Sequence, residues 1–198
     1  MSRIARFGVL VAALMSLFAV LSSSAGATTW HNTGSTNFTG TGGGGTLSVT
    51  GVNLTCSSSH ATGDAPPLSF ALTYVAAGTA TFTGCKISGI PHSVDCSYAL
   101  TVTNAAVNHI FSGSVNATCE VKSLDGIKVC HIDGATPGTY RNAETGLSAQ
   151  FVLTTSTTLR TTNGDSVHAC PLGTGEPTHL TTQTINITSS PAPTIIRT

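Results

Sequence analysis

The sequence predicts an all-β protein, a single antiparallel β-sandwich of jelly-roll or Ig-like arrangement with about eight to ten strands behind an N-terminal signal peptide. Three observations predict it. Apolar and polar residues alternate with period two in run after run beyond Thr28, the pattern of strands with one dry and one wet face. Val, Ile and Thr abound and fit a pleated surface. Gly, Pro, Asn and Asp clusters punctuate the runs, and nothing after the N-terminal segment has a helical apolar stripe.

The chain opens with Arg3 and Arg6, then an apolar run from Phe7 to Leu21, then Ala25-Gly26-Ala27. A positive start, a short apolar stretch and a small-x-small site form a signal peptide, with cleavage expected after Ala27. The run is shorter than the ~20 residues of a membrane-spanning helix. No cysteine sits just after the cut, so a lipid anchor is not expected. The predicted organisation is residues 1–27 as signal peptide, 28–190 as the sandwich domain and 191–198 as a tail, with the chain frayed after Ser189. Gly40 to Gly45 reads as a flexible loop. Near Gly51 the apolar parity moves from Leu47 and Val49 to Val52 and Leu54, which a β-bulge would explain.

Four later alternating runs supply the candidate core, expected mainly from Phe70, Leu72, Tyr74, Val94, Tyr98, Leu100, Phe111, Val115, Phe151 and Leu153. Leu68, Phe70, Leu72 and Tyr74 share one parity, as do Val94, Cys96, Tyr98, Leu100 and Val102. Phe111, Val115, Cys119 and Val121 continue the pattern, and Leu147, Ala149, Phe151 and Leu153 end it. Turns at Asp64-Ala65-Pro66-Pro67, Gly89-Ile90-Pro91, Asp125-Gly126, Pro137-Gly138, Asn163-Gly164 and Gly173-Thr174-Gly175 separate the runs.

Charged residues make up only 8% of the chain and the formal net charge is zero. Loss of Arg3 and Arg6 leaves the mature chain slightly acidic. No cluster of Lys and Arg exists to hold phosphates, which argues against nucleic acid as a partner. No second apolar span exists, so no membrane span is expected in the mature chain.

Six cysteines, Cys56, Cys85, Cys96, Cys119, Cys130 and Cys170, are an even set and predict three disulfides in an oxidising compartment. Cys85 and Cys96 flank Ser88-Gly89-Ile90-Pro91, and Cys119 and Cys130 flank Ser123-Leu124-Asp125-Gly126. Hairpins closing at the centre of each segment would set both pairs face to face, leaving Cys56 for Cys170. The expected map is therefore Cys85–Cys96, Cys119–Cys130 and Cys56–Cys170. A tighter Asp125-Gly126 turn would offset Cys119 from Cys130 by two positions and forbid that bond, and Cys56 competes for Cys85. Metal is not expected, because no Cys-x-x-Cys occurs and the histidines are scattered.

Several short patterns carry no assembled chemistry. Gly40-Thr41-Gly42-Gly43-Gly44-Gly45 matches Gly-x-Gly-x-x-Gly but lacks the flanking strand and helix of a dinucleotide site, so no cofactor is expected. Gly164-Asp165-Ser166 and the Asp165/His168 spacing resemble pieces of an esterase. Ser166 and His168 on one short strand would point the same way and could not form a nucleophile–base pair. His131 and Asp133 would share a strand face and hydrogen-bond. Asn37, Asn53, Asn116 and Asn186 are glycosylation acceptors only in a host that glycosylates. Thr79, Thr81 and Thr83 form a solvated face without the fixed repeat of a solenoid. Trp30, Phe38 and Tyr140 remain as candidate exposed contacts for a sugar.

Leu54-Thr55-Cys56, Ala80-Thr81-Phe82-Thr83-Gly84-Cys85, Thr158-Leu159-Arg160 and Ala169-Cys170-Pro171 resemble motifs of a loose group of exported, Thr-rich, cysteine-paired β-proteins of actinobacteria whose function is uncharacterised. The resemblance spans most of the mature chain and implies export and a paired-cysteine β fold. It carries over no catalytic residue.

The expectation is a secreted, extracellular protein, with the cell wall as an alternative location, and a non-catalytic role in binding an extracellular ligand or cell-surface component. A secreted hydrolase using Ser166 and a distant His is the second reading. A self-assembling envelope or fibre subunit is the third, since low charge weakens repulsion between copies.

Overall fold

The computed structural model describes residues 29–49, 51–69, 73–104, 106–154, 159–165, 167–175 and 179–198. The predicted signal peptide and its cut after Ala27 lie outside them, as do Phe70, Leu72 and Ser166.

Six long strands form an antiparallel meander: β2 (Asn37–Val49), β3 (Val52–Asp64), β5 (Tyr74–Ile87), β6 (Ile90–Val102), β7 (Ile110–Lys122) and β8 (Lys128–Arg141). Strand β9 (Gln150–Leu153) pairs with the C-terminal half of β8. Strand β12 (Gln183–Ile187) bridges β9 and β2, which closes the sheet into an eight-stranded barrel. The sandwich expectation is thereby corrected. Period-two alternation says only that each strand has a dry face. Whether a second sheet covers that face, or the sheet curls over itself, depends on connectivity. Here the long strands pair with their sequence neighbours, so no Greek-key crossing splits them into two layers.

Local chemistry sets the hairpins. Ser88 and Gly89 both have positive φ (49° and 83°), as a two-residue type I′ turn requires, and Ile87 faces Ile90 across it. The β2–β3 link turns at Gly51 (φ 87°) with Val49 opposite Val52. The parity shift there is a hairpin turn and not a bulge. A bulge does interrupt β5 between Phe82 and Cys85, where Gly84 has φ 62°.

The expected glycine loop is instead part of β2. Its glycines leave room for neighbours: a Cβ on Gly40 would lie 2.7 Å from Ile185 Cγ2, and one on Gly45 would lie 2.0 Å from Gln183 Nε2. Composition suggested flexibility, but the missing side chains are space that β12 fills.

One barrel end is capped by a small sheet in the order β13 (Ile195–Arg197), β1 (Trp30–Asn32), β4 (Leu68–Ser69). The expected frayed tail is thus ordered, with Asn32 opposite Ile195 and Trp30 opposite Arg197. Asn142 holds Ile195 at both backbone groups, accepting from its N (2.9 Å) and donating to its O (2.8 Å). Trp30 is fully buried, with Tyr74 and Phe111 at ring-centroid distances of 6.4 and 6.1 Å.

Of the predicted core, Tyr74, Val94, Leu100, Phe111, Val115 and Phe151 are buried, and Tyr98 and Leu153 are partly buried against them. Leu68 and Leu147 are exposed. The first lies in the short β4 and the second precedes β9, so neither continues the strand its parity suggested.

All six cysteines are paired, but as Cys56–Cys85, Cys96–Cys119 and Cys130–Cys170. The expected partners are corrected by register. Cys96 sits opposite Cys119 and not near Cys85, which lies beside His92. The β7–β8 turn places Cys130 opposite Val121 and Cys119 opposite Ile132, the two-position offset that excludes a bond between the two cysteines.

Candidate functional site

The lumen is the candidate site, because small inward side chains leave it incompletely filled. An eight-stranded barrel is just wide enough for side chains to fill its interior. Midway along this one, β5 contributes Ala80, β7 contributes Ala117 and β8 contributes Thr136. The result is a cavity of about 120 Å³ whose wall includes Leu54, Val94, Val115, Ile132, Phe151 and Ile185. Cys56, Cys96 and Cys119 also line it, so two disulfides form part of its surface.

Tyr98 and Phe151 border this cavity and a smaller one of about 30 Å³ toward the capped end. The Tyr98 hydroxyl donates to Thr62 O at 3.3 Å. Burial, helped by the charge of Asp64, pushes that phenol up to about 12. Burial also raises Tyr74 and Tyr140, whose hydroxyls donate to Pro66 O (2.6 Å) and Pro193 O (2.5 Å).

Among the described residues the wall has a seam. Strands β9 and β12 have four and five residues, against thirteen or fourteen in the meander. Beyond their ends, β8 pairs with β10 (Arg160–Asn163) and β2 with β11 (His179–Leu180). Among the described residues β10 and β11 share no ladder. Leu159, Leu180, Leu153 and Gln183 line the lumen around that seam. Gln183 is buried, and its Nε2 donates to Thr181 Oγ1 (3.2 Å), Thr181 O (3.3 Å) and Thr182 O (3.3 Å).

The outer wall is polar. One circumferential row runs Thr39, Thr62, Thr79, Ser97, Thr118, Asp133 and Arg160. Polar outside and apolar inside reverses the order that a lipid-embedded barrel uses. No described helix is long and apolar enough to cross a membrane. Thr79 and Thr83 sit on this wet face, in hydroxyl contact with Thr62 (3.2 Å) and Ser58 (2.7 Å).

The other sequence candidates do not converge. Asp165 forms an exposed turn, accepting from Val167 N (2.9 Å) and His168 N (2.7 Å), with His168 Nδ1 2.9 Å from its Oδ2. These contacts, the His168 side chain first, hold the Asp165 carboxyl down at about 2. Neither Asp165 nor His168 lines the lumen, and Ser166 lies outside the described residues. His131 faces Glu120 and Asp133 faces Thr118 across β7, and among the described residues no hydrogen bond joins His131 to Asp133. Trp30 and Tyr140, expected as exposed sugar contacts, are buried core, and Phe38 is partly buried against it.

Sequence reasoning missed the lumen. Ala80 and Ala117 looked like ordinary small residues, although their parity points inward. Gln183, Ile185 and Ile187 alternate as BeBeB with their neighbours, a pattern that would have put Gln183 on the dry face. No protein family, curated protein or solved structure matches the chain. The three disulfides fit an oxidising environment.

Proposed function

We propose that the protein is an exported, non-catalytic binding barrel that takes a small apolar ligand into its lumen. The observation that supports this is the cavity of about 120 Å³, walled almost wholly by apolar side chains. An engineered apolar cavity of ~150 Å³ stays dry and takes up benzene-sized molecules, so this one suits a ligand of a single ring. Unfilled apolar space costs stability in proportion to its volume, and a ligand recovers that contact. The role is retention or delivery of the ligand outside the cytoplasm, with the disulfides holding the wall.

Toluene tests the reading. Millimolar toluene is expected to raise Tm in a concentration-dependent way and to give saturable heat in calorimetry. Ala117→Leu, which fills the cavity from β7, is expected to abolish both. A native protein indifferent to toluene would sink the proposal.

A further inference from the structure

We infer that the lumen is one elongated site whose ligand is a ring with a short unbranched hydrocarbon tail, the tail passing between Tyr98, Phe151 and Ile185 into the smaller cavity; this rests on reading the lumen as a binding site. Those three residues line both the cavity of about 120 Å³ and the one of about 30 Å³. They form a partition across the barrel. Tyr98 stands on β6 and Ile185 on β12, four strands apart whichever way the closed sheet is followed. Phe151, on β9, faces Ile185 across their ladder. The two spaces are therefore separated by a layer of side chains and not by backbone.

The partition is unevenly held. Phe151 and Ile185 are buried, whereas Tyr98 is partly buried and its hydroxyl reaches Thr62 O at 3.3 Å, long for a bond of that type. Gly78 of β5 faces Tyr98, and Gly63 of β3 faces Gly78. Neither carries a side chain to oppose movement of the ring, so Tyr98 is the member that gives way. The chemistry of the walls narrows the ligand. No polar atom of the described residues opens onto the larger cavity, and no charged side chain lines either one. A hydroxyl, amine or carboxylate would enter without a partner. A single ring takes up the larger cavity, and a tail then finds enclosed apolar space past the partition. The smaller cavity, at about 30 Å³, holds about two groups the size of a water. With one carbon in the partition and two beyond it, the tail is propyl.

Toluene and propylbenzene share the ring and differ in the tail, so they separate the extension from filling of the larger cavity. Calorimetry on the full disulfide-bonded protein is expected to show propylbenzene binding roughly fifteenfold more tightly than toluene, about fourfold for each methylene buried. Pentylbenzene is expected to bind no more tightly than propylbenzene. Ala76 lines the smaller cavity and not the larger, so Ala76→Val fills the space meant for the tail. It is expected to bring the propylbenzene-to-toluene affinity ratio close to one. If the native protein binds toluene but gains nothing from the propyl tail, if pentylbenzene binds tighter still, or if the ratio survives in Ala76→Val, the extension fails while the lumen reading stands. If neither toluene nor propylbenzene binds, both fail. Should Ala76→Val not fold, the native protein still decides. The terminal methyl of bound propylbenzene must show nuclear Overhauser contacts to Ala61 or Ile187, which line the smaller cavity alone, and bound propylbenzene without them overturns the assignment.

Discussion

Toward the β1–β4–β13 cap the barrel is filled by large side chains. Trp30, Tyr74, Phe111, Tyr140 and Ile195 are buried there, and the phenols are hydrogen-bonded to backbone carbonyls. Toward the β2–β3 turn the lumen is lined by several small residues, keeps its larger cavity, and has disulfides in its wall joining neighbouring strands β3 to β5 and β6 to β7. The third disulfide ties β8 to the segment after β10. One closed sheet thus has two means of holding its shape. Where side chains fill the interior, dispersion and burial suffice. Where the interior is left partly empty, covalent links between neighbouring strands limit how far the wall can open.

The largest effect expected from this contrast is at Trp30. Trp30→Ala removes the centre of the packed end and should cost about 3–5 kcal/mol. Urea unfolding followed by far-ultraviolet circular dichroism measures it, because the substitution removes the chain's one Trp. A loss under about 1 kcal/mol would show that the cap is dispensable and break the comparison.

Next is the hollow half. Replacing Cys96 and Cys119 together by Ser should cost about 2–4 kcal/mol and weaken toluene binding, while leaving the packed end intact. Unchanged binding would mean that the wall holds its shape without the link.

Alkaline pH sharpens the contrast at the packed end. The chain's three tyrosines are all raised by burial, Tyr98 to about 12. A phenol whose folded value is raised favours the neutral form, so its contribution is fully present below the unfolded value near 10. It is lost as pH rises from there through about 12 for Tyr98. Native protein should show no phenolate absorbance at pH values near 10, and then a rise coupled to unfolding. A tyrosine titrating freely near 10 would place it outside the packed interior.

The smallest effect is Ala117→Leu. Added methylenes fill empty space instead of straining a full core, so stability should stay within about 1 kcal/mol of native. A large loss would mean that the cavity does not extend to Ala117.

Much of the individual strands was legible. The parities that placed Val94, Leu100, Phe111, Val115 and Phe151 inside hold, because a strand buried on one face must repeat with period two wherever that face is covered. The glycine tract and the tail were not legible. A Gly-rich run is locally flexible whether or not β12 packs into the space it leaves. A Pro-containing terminus is frayed unless a distant strand such as β1 takes it up. The lumen was hidden for a related reason: a small residue leaves a cavity only if the residues across the barrel are also small.

By itself, then, the sequence determined the all-β class, the inward parity of most long strands and the engagement of every cysteine in a disulfide, since these follow from periodicity and from an even count. Tertiary structure alone decided that the sheet closes into a barrel, which cysteine meets which, and that Gln183 reaches the lumen. Pairing depends on register, and register turned on where two hairpins close: Ser88-Gly89 and the turn through Asp125-Gly126 each shift the facing strand by a few positions. A strand's alternation survives such a shift, but the identity of its partner does not.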